Sequence, residues 1–251
     1  MRRLLAALVG VFTYAGIATA AEDQTCAVAA HLAEAEAPLP RVAAAIREAR
    51  ELSILVIGTS SSTLPGPGGA KLAFPARLEA ALAAKLPGVA VRVAAEAIPR
   101  RSATDMVASF PSLLAARKPT LAIWQTGTFD AIRGIDTESF AVSLENGIRI
   151  LHEAGADVVV MNPQFSPRTE AMIATAPYAD TMRWVAIQQE VPLFDRSAVM
   201  RHWSELGTFD LYAQTKKLDT AAQVHDCIGQ LLAQLIVQAA KPNGVASGDP
   251  R

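Results

Sequence analysis

The loop GTSSSTLPGPGG, residues 58–69, gathers Ser60, Ser61 and Ser62 between Thr59 and Thr63, directly after the apolar run ILVI. A serine held there can act as a nucleophile, but only if a base takes its proton, because the hydroxyl is weakly nucleophilic at neutral pH. The same cluster can also serve as turn residues or cradle a phosphate. A base is available late in the chain. Of four histidines, His225 lies in LDTAAQVHDCIGQLLAQLI, near the start of the last amphipathic segment. Its imidazole titrates in the range that serine activation needs. His31 falls in an N-terminal segment, and His152 and His202 fall in helical segments where an exposed or hydrogen-bonded histidine is ordinary. That ordinary role is open to His225 as well.

The elements that must position these groups follow from hydropathy. Strands are expected at residues 52–58, 89–95, 120–126, 156–162 and 191–195, several of them continuous apolar runs without polar alternation, as in strands covered on both faces. Ala/Leu-rich segments between them predict helices over 75–86, 102–117, 139–154, 169–189 and 220–239, with Ser102 and Asp105 spaced as a capping box. Alternation of this kind predicts a three-layer α/β/α sandwich around a parallel sheet of about five strands, in the flavodoxin-like order 2-1-3-4-5. Ligands of such sheets bind beyond the carboxyl ends of the strands. That places Asn162 and Gln164, in MNPQFSPRTE, beside the serine loop as candidate substrate contacts. They can equally satisfy loop amides.

Four blocks between residues 51 and 240 resemble those of the SGNH hydrolases, the GDSL-type esterases. ILVIGTSSST resembles the first block, which puts the nucleophile at Ser60, two places after Gly58. AEAIPRRSATDM resembles the second, with Arg100 where a glycine donates its backbone N–H to the oxyanion; the amides of Ser60 and Arg100 would then form the oxyanion hole. WQTGTFDAIRG resembles the third, G-x-N-D, matching at Gly127 and Asp130, which the resemblance makes candidate substrate contacts, and LDTAAQVHDCIG resembles the last, D-x-x-H, matching at His225. Two positions depart from the pattern. Phe129 replaces the asparagine that donates to the oxyanion, a loss of about 10²–10³ in rate where measured. Ala222 replaces the aspartate that orients the imidazole, a loss on the order of 10⁴ in a serine protease. Asp219, Asp226 and Asp210 are the carboxylates near enough in sequence to substitute. Asp219 is the preferred third member, although it can also cap the final helix, and a Ser–His dyad is the remaining arrangement. The resemblance implies an esterase or acylhydrolase that cleaves a small-molecule or glycan-linked acyl ester through a Ser60 acyl-enzyme. The two departures motivate the alternative of a catalytically idle binding module of the cell envelope. A phosphate binder using TSSST is the third reading.

The first twenty residues, with two arginines, an apolar run and small residues at Ala18 to Ala20, have the layout of a cleaved signal peptide, with an uncleaved membrane anchor as the alternative. The expected product is periplasmic or secreted, with no membrane span after cleavage, a helical extension over 21–50, the hydrolase-like domain over 51–240 and a flexible tail over 241–251. Cys26 and Cys227 are an even pair that an oxidising compartment can bridge; two buried thiols are the alternative. With 23 Lys plus Arg against 24 Asp plus Glu and no basic block, nucleic acid is not an expected partner. Metal-ligand spacings and nucleotide-binding glycine patterns are absent from the sequence, so neither a metal nor a cofactor is expected.

Overall fold

A computed structural model describes residues 24–212 and 218–241. Strands β1 (Glu51–Gly58), β2 (Ala90–Ala97), β3 (Leu121–Gln125), β4 (Asp157–Met161) and β5 (Leu193–Phe194) form one parallel sheet in the order β2-β1-β3-β4-β5. Because successive side chains point to opposite faces, each central strand feeds two cores. Leu52, Ile54 and Val56 of β1, Leu121 and Ile123 of β3, and Val159 and Met161 of β4 enter one core. Leu55, Ile57, Ala122, Trp124, Val158 and Val160 enter the other. The apolar runs lack alternation because both faces are covered.

The helices, in chain order, are α1 (Pro40–Ala44), α2 (Gly69–Leu72), α3 (Phe74–Lys85), α4 (Ala103–Val107), α5 (Phe110–Arg117), α6 (Thr128–Arg133), α7 (Thr137–Glu153), α8 (Pro167–Met172), α9 (Ala176–Gln188), α10 (Arg196–Glu205) and α11 (Leu218–Ala239). Helices α3, α10 and α11 supply Phe74, Leu78, Trp203, Ile228 and Leu232 to the first core. Helices α4, α5, α7 and α9 supply Met106, Phe110, Leu144, Ile148 and Met182 to the second. Three layers result, as the hydropathy pattern predicts.

Two of the expected helices are each divided. Residues 102–117 form α4 and α5, and residues 169–189 fall into α8 and α9, with Pro111 and Pro177 in the first turns of α5 and α9. Proline lacks the N–H that a continuing helix would use, but is tolerated in a first turn. The Ser102–Asp105 capping box forms as the spacing suggests.

The N-terminal extension is not a separate appendage. Pro40 sits in the first turn of α1, Leu39 and Val42 are buried in the first core, and the Val42 N–H donates to Asp157 Oδ2 at 2.9 Å. Cys26 and Cys227 form a disulfide across 201 residues of chain, tying the extension to α11 two residues beyond His225. A crosslink closing so long a loop removes much unfolded-state entropy. Replacing both cysteines by serine is expected to cost roughly 2–5 kcal/mol in urea unfolding; an unchanged midpoint would remove the disulfide from the account of stability. The leader, the tail beyond residue 241 and residues 213–217 lie outside the described residues.

Candidate active site

At the end of β1 the chain turns into a short 3-10 segment, Ser60–Ser62. One buried side chain organises it. Gln125, the last residue of β3 and 0% exposed, accepts at Oε1 from the Thr59 N–H at 3.1 Å, Thr59 Oγ1 at 3.3 Å, Ser61 Oγ at 3.2 Å and Ser62 Oγ at 3.1 Å. Thr63 Oγ1 turns to the Leu64 carbonyl. Of the five hydroxyls in TSSST, only that of Ser60 makes no hydrogen bond among the described residues, and Ser60 is exposed on the wall of a cleft of about 700 Å³. The loop after β1 thus lines the cleft, and of its three serines only Ser60 has an uncommitted hydroxyl among the described residues.

His225 lines the same cleft, 5% exposed, on α11. No hydrogen bond joins it to Ser60. Its Nδ1 instead accepts from the Phe74 backbone N–H at 2.9 Å, and the two rings stack with centroids 5.9 Å apart. Burial, aided by the positive charge of Arg196, pushes the imidazole down to about 3. Helix α11 reaches α3 this closely because residue 229 is glycine: a Cβ there would lie 2.7 Å from Arg77 Cβ and 2.8 Å from the Leu78 nitrogen. Gly229→Ala is expected to force the helices apart at about 1–3 kcal/mol and to loosen the Phe74–His225 bond. A urea midpoint unchanged from the parent would contradict so close an approach.

The expected third member, Asp219, is not placed to serve. It is exposed in the first turn of α11, it is not among the cleft residues, and the imidazole nitrogen it would orient already holds the Phe74 amide. Its carboxylate is favourable there against the positive helix end. Asp226 pairs with Arg77 at 3.5 Å and accepts from Gln230, so it too is engaged elsewhere. Asp210 does line the cleft and accepts from the Tyr212 N–H at 3.1 Å.

The two candidate oxyanion donors, Ser60 and Arg100, both line the cleft. Arg100 lines the cleft and adopts φ +60, the left-handed conformation that favours glycine, so the backbone keeps the shape that the resemblance assigns to this position. The N–H groups of Ser60 and Arg100 make no hydrogen bond to another described residue. Phe129 is on the cleft wall without a donor, while its neighbour Thr128 offers a buried Oγ1 that has no hydrogen-bond partner. An uncommitted hydroxyl of this kind can replace the missing asparagine amide.

Three expected substrate contacts prove structural. Gly127 caps α6 at φ +94 behind the wall, and Asp130, 1% exposed, accepts from the Ala103 N–H at 2.9 Å, which ties α6 to the start of α4. Burial raises the Asp130 carboxyl above its usual range. Asn162, 0% exposed, donates to Asp195 Oδ1 at 2.7 Å and accepts from the Ser197 N–H at 2.9 Å, which fixes the start of α10. None of the three reaches the cleft; Gln164 does.

Arg196 went unmarked in the sequence. It follows β5, so the strand-end rule reached its position, but nothing local distinguishes it from a surface arginine. In the structure it is 0% exposed and borders the cleft, donating to Ser61 Oγ and Gln164 Oε1, each at 3.3 Å, with its guanidinium 5.8 Å from the Phe74 ring centroid. Burial lowers it to about 10, so it stays charged at neutral pH. No cluster of metal-ligating side chains occurs among the described residues, and none of their helices is long and apolar enough to cross a membrane.

A parallel 2-1-3-4-5 sheet with an uncommitted serine at the end of its first strand and a histidine from the last helix in the same cleft defines the SGNH hydrolase class. Within it, the chain belongs to the non-GDSL lipase-like family, whose model matches residues 25–242. Similar solved structures include TesA, at 22% identity and TM-score 0.56 over 72% of this chain and 98% of that one. A lipase/acylhydrolase from Enterococcus faecalis matches at 20% identity and TM-score 0.59, over 74% and 95% of the two chains. A catalytic mutant of an acetylxylan esterase from Geobacillus stearothermophilus matches at 16% identity and TM-score 0.59, over 74% and 94%. At these identities the likeness is one of fold. No curated protein matches the chain.

Proposed function

We propose that this protein is an exported ester hydrolase that works through a Ser60 acyl-enzyme. The observation that carries the reading is the isolation of Ser60: its neighbours are tied to Gln125 or to backbone, whereas its own hydroxyl is left free in the cleft. Ser60 Oγ attacks the ester carbonyl and its proton passes to His225. The Ser60 and Arg100 amides, with Thr128 Oγ1, stabilise the oxyanion, and the alcohol leaves with the proton returned by His225. Water then repeats the sequence on the acyl-enzyme. By likeness to the solved esterases, an acetyl or short acyl group on an envelope glycan or a small lipid-like alcohol is the substrate class. Export is supported by the leader's layout and by the Cys26–Cys227 bridge, since disulfides persist in oxidising compartments.

One observation favours the second reading, an idle binding module. A neutral imidazole that accepts at Nδ1 holds its proton on Nε2 and is a donor there, not a base. Accepting the serine proton requires the other tautomer, which gives up the Phe74 bond, so turnover on the first reading is slow. Intact-mass analysis after exposure to a fluorophosphonate, with Ser60→Ala and His225→Ala controls, separates the two. Labelling at Ser60 that depends on His225 supports the hydrolase; a denaturation-verified native protein that stays unlabelled supports the module.

A further inference from the structure

The cleft carries more positive charge than the chain around it. Its charged lining, among the described residues, is Arg100, Arg168 and Arg196 against the single carboxylate of Asp210, in a protein of net charge −1. None of the three arginines has a carboxylate within ion-pair distance among the described residues. Arg100 and Arg168 are exposed and can be neutralised by water and salt. Arg196 cannot. It is fully enclosed, its Nε has no hydrogen-bond partner, and its two bonds go to neutral oxygens at 3.3 Å.

A buried guanidinium without a counter-charge is costly to the fold, and this one borders the cleft in which Ser60 stands. An anionic oxygen group entering there would displace the Gln164 amide oxygen and convert a long neutral contact into a charge-assisted, bidentate pair. Gln164 is only half-buried and lies in the loop after β4, so its side chain has room to withdraw. Thr128 and His225 border the same cleft, and the buried Thr128 hydroxyl has no hydrogen-bond partner of its own.

We infer that the cleft binds a substrate bearing a carboxylate or phosphate, held by Arg196 at the floor and drawn in by Arg100 and Arg168 at the rim. The substrate part of this inference rests on the hydrolase reading of Ser60; the anion site itself does not. The reacting ester would therefore be of the acidic kind, such as a dicarboxylic acid half-ester or the ester of a phosphorylated alcohol. A neutral acyl chain filling the whole cleft would leave the Arg196 charge unmatched.

The test begins with thermal melts of the Ser60→Ala protein in succinate and, separately, in inorganic phosphate, each against chloride at equal ionic strength. A rise of about 3 °C at roughly tenfold excess over Kd is expected with at least one of them, and which anion produces it identifies the group. The rise should vanish in Ser60→Ala/Arg196→Gln. If that variant does not fold, Ser60→Ala/Arg100→Gln/Arg168→Gln, altered only at the exposed rim, should show it weakened. No rise with either anion, or a rise that survives in every folded arginine variant, overturns the site. A kinetic arm compares mono-4-nitrophenyl succinate with 4-nitrophenyl butyrate on the parent protein, with at least about tenfold higher kcat/KM expected for the acid. Anion-dependent melting without hydrolysis of either ester defeats the Ser60 reading and leaves the anion site standing. Hydrolysis of the neutral ester without any melting shift does the reverse.

Discussion

Ser60→Ala is expected to lower turnover of a 4-nitrophenyl ester by a factor on the order of 10³ or more, with KM little changed, because no neighbouring hydroxyl can take its place. Ser61 is the obvious substitute by sequence, one residue away. Its Oγ, however, donates to Gln125 and accepts from Arg196, so its proton and one of its two lone pairs are engaged. Ser61→Ala should therefore alter rate far less, acting only by relaxing the loop and the arginine. A Ser60→Ala protein that retains turnover within tenfold of the parent would reject the nucleophile assignment outright. Equal loss in both variants would show that the loop acts as a unit, with the Gln125 hub rather than one hydroxyl controlling the rate.

The pH behaviour of His225 should show in both activity and stability. A base pushed down to about 3 is neutral at all ordinary pH, so the acid limb of kcat/KM is expected near pH 3–4 rather than near 6.5. For stability, the folded pKa lies below the unfolded one. Below about pH 6.5 the unfolded chain takes up a proton that the folded chain refuses, so stability is complete above that pH and falls as the solution is acidified toward 3. Between pH 7 and 5 the loss from this one residue is about 2 kcal/mol, at roughly 1.4 kcal/mol per unit below 6.5.

His225→Leu should remove that pH-dependent loss while costing about 1–3 kcal/mol at pH 8, since the Phe74 amide is then left without an acceptor. Comparing urea midpoints of parent and variant at pH 8 and pH 5 cancels the other titrating groups. These include Asp130 and Asp157, raised by burial, and His152, lowered by burial and by Arg41. Parallel losses in the two proteins would mean that the imidazole is not buried as the structure has it. The groups facing His225 are the Phe74 amide and ring and the Arg196 guanidinium. The Phe74 N–H, which donates to Nδ1, and the positive charge of Arg196 both oppose protonation.

Much of this protein is determined by the sequence alone. Runs such as ILVI and DVVVM are strands because only a sheet covered on both faces buries every residue of a continuous apolar run, and helical segments between them make that sheet parallel. The edge on which the candidate site lies follows from the same rule, and within it the resemblance of ILVIGTSSST to the family's first block puts the proposed nucleophile at Ser60. What those patterns describe is local, extending over one element or one loop. The partners that decide the chemistry are remote. Phe74 meets His225 across 151 residues, and it does so through a backbone N–H that every non-proline residue possesses, so no side-chain pattern could announce it. Asp130 looks like a site residue because it matches the third block, and Asn162 because it follows a strand, yet their carboxylate and amide accept from N–H groups in the first turns of α4 and α10 instead. Arg196 looks like a surface charge because burial is a property of the packed layers, not of the residues beside it in sequence. Tertiary packing alone determined that the imidazole faces an amide where the resemblance places a carboxylate, and that the cleft floor holds an unmatched cation. Both depend on how α3, α10 and α11 close over one end of the sheet.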